Sequence, residues 1–139
     1  MAELDLPYGK TCLTLRLPGT SSPFVLKPQS APPLDNPSHE IARALDAALA
    51  RQPLPTGGDA VVVVSDNTRP VPNATLLPPL LERMEAAGIS RERITLLVAT
   101  GLHRPTRDSE LPALLGCEVH GRYPLVVPDP TDRGTPVHL

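Results

Sequence analysis

Two short aliphatic runs, Ala60-Val-Val-Val-Val and Ile94-Thr-Leu-Leu-Val-Ala, each break off into a polar loop that feeds a helix. No other feature limits the possible folds so much. Unbroken stretches of β-branched and aliphatic residues, without polar alternation, predict strands covered on both faces, as in a parallel sheet. A chain of 139 residues is long enough for one ordinary core and too short for two.

The rest of the chain can be read around these strands. Leu13, Leu15 and Leu17 keep a period of two within residues 10–18, which predicts a strand with one buried face. Pro23, Pro28, Pro32 and Pro33 make residues 19–35 a stiff surface crossover. Asn36-Pro37 is a helix start, followed by an apolar stripe of Ile41, Leu45, Ala48 and Leu49. Leu77, Leu80, Leu81 and Met84 form a second stripe that stops at Gly88, and Pro78 and Pro79 place the start of that helix at the prolines. Thr106 is the expected cap of a short third helix, with Asp108 and Glu110 at its positive end and Gly116 closing it. Pro124-Leu-Val-Val is the last strand. Strands alternating with helices predict the α/β class: a mainly parallel sheet flanked by helices, Rossmann-like, in a single domain spanning 1–139.

Composition narrows the function. A net charge of −2 leaves no basic surplus for a nucleic-acid footprint. The longest apolar run, 60–64, is far shorter than a bilayer span, and Met1-Ala-Glu-Leu-Asp is no signal peptide. Neither nucleic acid nor membrane is an expected partner, and the cytoplasm is the expected location. With only Tyr8, Phe24 and Tyr123 as aromatics, the core must come from aliphatic side chains. Cys12 and Cys117 lack CxxC spacing and read as buried, inert thiols.

The chemistry gathers in the two loops, Ser65-Asp66-Asn67-Thr68-Arg69-Pro70 and Thr100-Gly101-Leu102-His103-Arg104-Pro105. Right-handed crossovers put both at the carboxyl edge of one sheet, where open α/β sheets bind ligands. Arg69 offers a planar fork for a carboxylate or phosphate, and His103 a proton acceptor near neutral pH. Asp66 could steer one of the two or accept from a ribose hydroxyl, and Thr68, Thr100 and the Gly101 amide could donate to an anion. Plainer readings stand beside these. Asp66 could make only an Asx-turn, His103 could be a solvated or capping group, and Arg104 and Arg107 are most simply solvated charges. His39, His120 and His138 lack ligand-like spacing, so no metal site is expected.

Leu6-Pro7-Tyr8-Gly9-Lys10, the segment from Ser65 to Asn73, the segment from Leu97 to Pro105 and Arg133-Gly134-Thr135-Pro136-Val137 together resemble the amino-terminal domain of the LarA-like lactate racemases. The resemblance implies an isomerase of 2-hydroxy acids that uses a nickel-pincer nucleotide. It makes His103 one of two catalytic histidines and Arg69 the clamp on the substrate carboxylate. Asp66 and Thr68, with Thr100 and Gly101, would line the cofactor and substrate pocket. It also implies a second, larger domain carrying the tethering lysine, the nickel-ligating histidine and the second catalytic histidine; many relatives have a His-Asp pair where this chain reads Val127-Pro128-Asp129. The expectation is half of an interdomain active site, inactive alone, whose partner is that carboxy-terminal domain in cis or trans and whose loop edge can pair as a homodimer. The competing reading is a stand-alone, non-catalytic module that binds a nucleotide or carboxylate through the same loops. An open reading frame continuing past Leu139 would favour the enzyme.

Overall fold

A computed structural model describes residues 2–20 and 22–132, which fall into two compact units, Met1–Pro33 and Leu34–Leu139. Arg133-Gly134-Thr135-Pro136-Val137 and His138 lie outside the described residues.

The first unit is an antiparallel hairpin of β1 (Ala2–Tyr8) and β2 (Thr11–Leu17), in register from Ala2 opposite Leu17 to Tyr8 opposite Thr11. Gly9 supplies the positive φ, 59°, that a two-residue turn wants at its first position. Period-two alternation sorts the side chains. Leu4, Leu6, Leu13 and Leu15 share one face, while Glu3 pairs with Arg16 at 2.9 Å and Asp5 with Thr14 at 2.7 Å on the other. Two expectations change here. The strand read over 10–18 is one arm of this hairpin and does not join the parallel sheet. Its leucine face is not buried either: Leu13 and Leu15 keep 55% and 43% of their surface exposed, because a two-stranded ribbon has no second layer of its own. Among the described residues no helix or strand follows before residue 34, in line with the prolines.

The second unit is α/β. Its sheet has the order β3 (Ala60–Ser65), β4 (Ile94–Ala99), β5 (Leu125–Val126), all parallel. Helices α1 (Pro37–Leu49), α2 (Asn73–Ala86) and α3 (Leu111–Leu115) complete it. Asn36 caps α1, its Oδ1 accepting the His39 N–H at 3.1 Å. The stripe of Ile41, Leu45 and Leu49 is half-buried, whereas Ala48 is exposed. Where α1 meets α2, Arg83 forks onto Asp46 at 2.7 and 2.9 Å and donates to the Ala42 and Pro79 carbonyls.

Helix α2 begins at Asn73, five residues before the point its prolines suggest, and runs through Pro78 and Pro79. Burial of Leu77, Leu81 and Met84, about 1.5–3 kcal/mol each, offsets the roughly 3 kcal/mol that a mid-helix proline costs. The helix ends as read: Gly88 takes φ 89°, its N–H bonds Glu85 O, and Ile89 N–H bonds Met84 O, a Schellman closure.

The core lies on one face of the sheet. Val62 and Val64 sit opposite Leu96 and Val98, and Ile94, Leu96 and Val98 are almost wholly buried with Leu81, Leu111 and Leu115. The expected two-sided cover of β3 is not found within the described residues, where Val61 and Val63 remain 41% and 61% exposed. As an edge strand with helices packed against one side, β3 buries only every second residue. Thr106 does not cap the third helix. It is buried with an unpartnered hydroxyl, and the turn starts at Asp108, with Glu110 accepting the Arg107 N–H at 2.9 Å. Gly116 closes α3 as expected. Both cysteines are exposed, contrary to the buried-thiol reading; Cys12 lies on the one-layered hairpin, and Cys117 just beyond the end of α3.

Candidate active site at the sheet edge

Strands β3 and β4 end side by side, Ser65 paired with Ala99, so Asp66 and Thr100 leave the sheet as neighbours. The two loops bound a cleft of about 800 Å³, lined among others by Asp66, Arg69, Thr100, Gly101, Leu102 and His103. Sequence reasoning placed Arg69 and His103 at one edge, and they do share this cleft.

Asp66 is its buried anchor, 3% exposed. Oδ1 accepts from the Thr68 N–H at 3.2 Å and the Thr68 hydroxyl at 2.6 Å, while Oδ2 lies 2.6 Å from His103 Nδ1. One oxygen thus makes the Asx-turn, and the other lies against the histidine. The Thr68 hydroxyl first, then His103, hold the Asp66 carboxyl below the usual aspartate range. Ionised, it can only accept, so His103 Nδ1 is the donor to Oδ2, and Nε2 is the nitrogen of this half-exposed ring that lies outside the bond.

The other residues divide. Thr68 has its hydroxyl committed to Asp66 and is not part of the cleft wall. Thr100 is buried and donates to the Pro128 carbonyl at 3.2 Å, which ties the strand-β5 exit to the same edge. Gly101, at φ 57° with nothing near its missing Cβ, leaves the wall open there. Arg69 is exposed and, among the described residues, its guanidinium has no carboxylate partner. That contrasts with Arg104, read from sequence as a solvated charge, which forks onto Glu110 at 2.6 and 2.8 Å. Asn67 donates to the same carboxylate at 3.1 Å. Neither Glu110 nor Asn67 was singled out for the site. Arginine at position 107 has no side-chain acceptor, so the sequence there lacks the Ser/Thr signature of a capping box, and nothing in sequence announces a bond between Asn67 and Glu110, 43 positions apart.

A second cleft, about 760 Å³, lies between α1 and α2. Its Asn36 is occupied in capping and its Arg83 in bridging the helices, while His39, Glu82 and Glu118 also line it. Among the described residues no group of three or more His, Cys, Asp or Glu could hold a metal ion, and no helix is long and apolar enough to cross a membrane.

The second unit is an α/β fold with a cleft at the carboxyl edge of its parallel sheet, where open α/β sheets bind ligands. The family can be stated more narrowly: the profile of the lactate racemase N-terminal domain matches residues 8–139, and the chain belongs to that family. It is 33% identical over 135 residues to a lactate racemase of Thermoanaerobacterium thermosaccharolyticum, covering 93% of this chain and 32% of the relative. It is 30% identical over 145 residues to the lactate racemase of Lactiplantibacillus plantarum, covering all of this chain and 34% of that one. The chain thus spans about a third of the length of these curated relatives. The lactate racemase apoprotein structure from T. thermosaccharolyticum superposes with a TM-score of 0.66 at 28% identity, over 92% of this chain and 30% of the other. A Thermotoga maritima protein shares the fold at a TM-score of 0.50 and 21% identity, over 64% of this chain and 20% of its own.

Proposed function

We propose that this chain supplies the substrate-gripping and proton-transferring half of a 2-hydroxy-acid racemase active site. The observation that carries the reading is that the 2.6 Å Asp66–His103 pair lines one cleft with Arg69, whose guanidinium has no carboxylate partner among the described residues. Arg69 takes the substrate carboxylate with two parallel bonds and fixes its orientation. His103 Nε2 takes the proton of the neighbouring hydroxyl, and the Asp66 carboxylate stabilises the imidazolium that results. This transfer accounts for the hydroxyl proton alone; inverting the carbon also requires its own hydrogen to leave and to return on the opposite face, a task not assigned to His103 or Arg69. Lactate, the substrate in the names of the relatives, has this pairing of carboxylate and adjacent hydroxyl.

The family resemblance also implies a nickel-pincer nucleotide, and the residues present do not fit its metal. His103 Nδ1 and the Asp66 carboxylate are committed to each other, and no third ligand stands with them among the described residues. We therefore assign the nickel ligands, the cofactor tether and the second histidine to a further domain in cis or trans, and no step here passes through the cofactor. Thr100 and Gly101 remain the parts of the wall offered to a nucleotide, through backbone rather than the engaged Thr100 hydroxyl.

Titrating L- and D-lactate into the chain tests the reading, with the Arg69 guanidinium and His103 imidazole followed by NMR. Both groups should shift together and saturate together, and Arg69→Lys should weaken both responses. Lactate that perturbs neither group would refute it. The non-catalytic alternative also expects binding, but predicts no racemase activity even when the chain is supplied with a cofactor-carrying second domain.

A further inference from the structure

We infer that Glu110 is a positioning residue that holds the Asp66–His103 pair in register, acting through the residue next to each of them. Glu110 Oε1 accepts from Asn67 Nδ2 at 3.1 Å and Arg104 Nη2 at 2.6 Å; Oε2 accepts from Arg104 Nη1 at 2.8 Å and the Arg107 N–H at 2.9 Å. Asn67 directly follows Asp66, and Arg104 directly follows His103. One carboxylate at the start of the third helical segment is therefore bonded to both loops that carry the pair.

The chemistry suits the task. An ionised carboxylate has acceptor sites for about four donors, and here four donors use them. The guanidinium fork resists rotation, which a single ammonium bond would not. The Glu110 side chain is 27% exposed, partly shielded from the water that competes for such bonds.

The pair needs this support. The His103 side chain is 55% exposed and stands on an irregular loop, so packing does little to choose its rotamer. Its single bond to Asp66 survives only if both backbones hold their separation, and an error of about 1 Å is enough to spoil a reacting geometry. Without Glu110, Asn67 and Arg104 lose the partner they share and the two loops lose a direct tie.

The inference rests on reading His103 as the base, but its geometric content can be measured without turnover. Nitrogen-15 NMR of the full chain, at a pH where the ring is neutral, reports which imidazole nitrogen carries the proton. The wild-type His103 should be dominated by the Nδ1–H form. Glu110→Ala should shift the tautomer ratio toward Nε2–H by about tenfold or more, the equivalent of one charge-assisted bond. Slow amide exchange at Leu96 and Val98 in β4 would show that the sheet is intact. Asn67→Ala and Arg104→Lys, each removing one leg, should give smaller shifts in the same direction. If Glu110→Ala does not fold, the Asn67→Ala/Arg104→Lys double variant carries the test. An unchanged ratio in whichever variant folds, or a wild-type ring already mixed between forms, would overturn the inference. Lactate leaving Arg69 and His103 unperturbed, with the tautomer shift still present, would refute the racemase reading and leave the positioning role standing.

Discussion

Asp66 gives one carboxylate oxygen to its own loop and the other to the next: Thr68 bonds Oδ1, and His103 Nδ1 lies 2.6 Å from Oδ2 across 37 positions of sequence. This sharing requires an acceptor at both oxygens, and the amide in Asp66→Asn provides only one. Either the turn or the histidine loses its partner. In the complete enzyme the substitution should lower kcat by roughly a hundredfold or more, with a smaller change in KM. Steady-state kinetics with each enantiomer would check this, and a variant with normal kcat would contradict the assigned tautomer.

Arg69 and His103 should fail differently. Arg69→Lys keeps the charge and loses the two-point grip, costing about 1.5–3 kcal/mol, or roughly 10- to 150-fold in kcat/KM. His103→Gln removes the proton acceptor and should cost about a hundred- to ten-thousand-fold, mainly in kcat. Rapid-mixing half-reactions with pure L- and D-lactate separate the two. Wild-type rates for both enantiomers in His103→Gln would exclude it as a base.

Acid should loosen the two loops only at very low pH. The Arg104 fork first, and then the Arg107 N–H, hold Glu110 down to about 2, below its ordinary 4.5. A depressed carboxylate stabilises the fold fully above its unfolded value and loses that contribution as pH falls through the folded one. The thermal midpoints of wild type and Glu110→Gln should differ by a constant amount above about pH 5 and converge between the two values. A gap independent of pH across that window would show that ionisation of Glu110 is not what matters.

Gly116 and Gly101 both have positive φ, 87° and 57°, yet they should tolerate alanine unequally. A Cβ on Gly116 would lie 2.9 Å from Ala74 Cβ in α2, whereas Gly101 has nothing within 4 Å. Gly101→Ala should cost only the backbone penalty of about 1–2 kcal/mol. Gly116→Ala adds overpacking and should reach about 2–4 kcal/mol. Denaturant midpoints at constant slope would decide between unequal and equal costs.

The chain alone should bind no stoichiometric nickel, since metal affinity follows ligand number and geometry and no group of three candidate ligands exists among the described residues. Elemental analysis after incubation with nickel and desalting is sufficient. A ratio near one metal per chain would mean that ligands had been overlooked.

Much of this site could be read from local pattern. The runs at 60–64 and 94–99 indicated strands, and parallel strands deliver the loops after them to one edge, which brought Arg69 and His103 together on paper. Asn36 and Gly88 carried correct helix boundaries because capping is a short-range effect. What stayed hidden depends on tertiary packing. Residues 10–18 alternate as any half-buried strand would, and the pattern does not say which sheet a strand joins. Pro78 and Pro79 looked like a helix start because local propensity knows nothing of the buried Leu77 and Leu81. Arg104 looked solvated because Glu110, six residues on, could be paired with it only after the loop had folded back.

The side-by-side ending of β3 and β4 also restricts how the chain can change in length. One residue inserted into either strand would advance its loop by about 3.3 Å and turn alternate side chains to the opposite face. Either change is larger than a 2.6 Å contact can absorb. Insertions and deletions should therefore be tolerated in the connection between α1 and β3, where Arg51, Gln52, Pro55 and Thr56 are exposed, and purged between Ala60 and Asp66 or between Ile94 and His103. Two strands of six residues each thus act as a ruler, and the genetic record of this domain should show variable connections around two segments of fixed length.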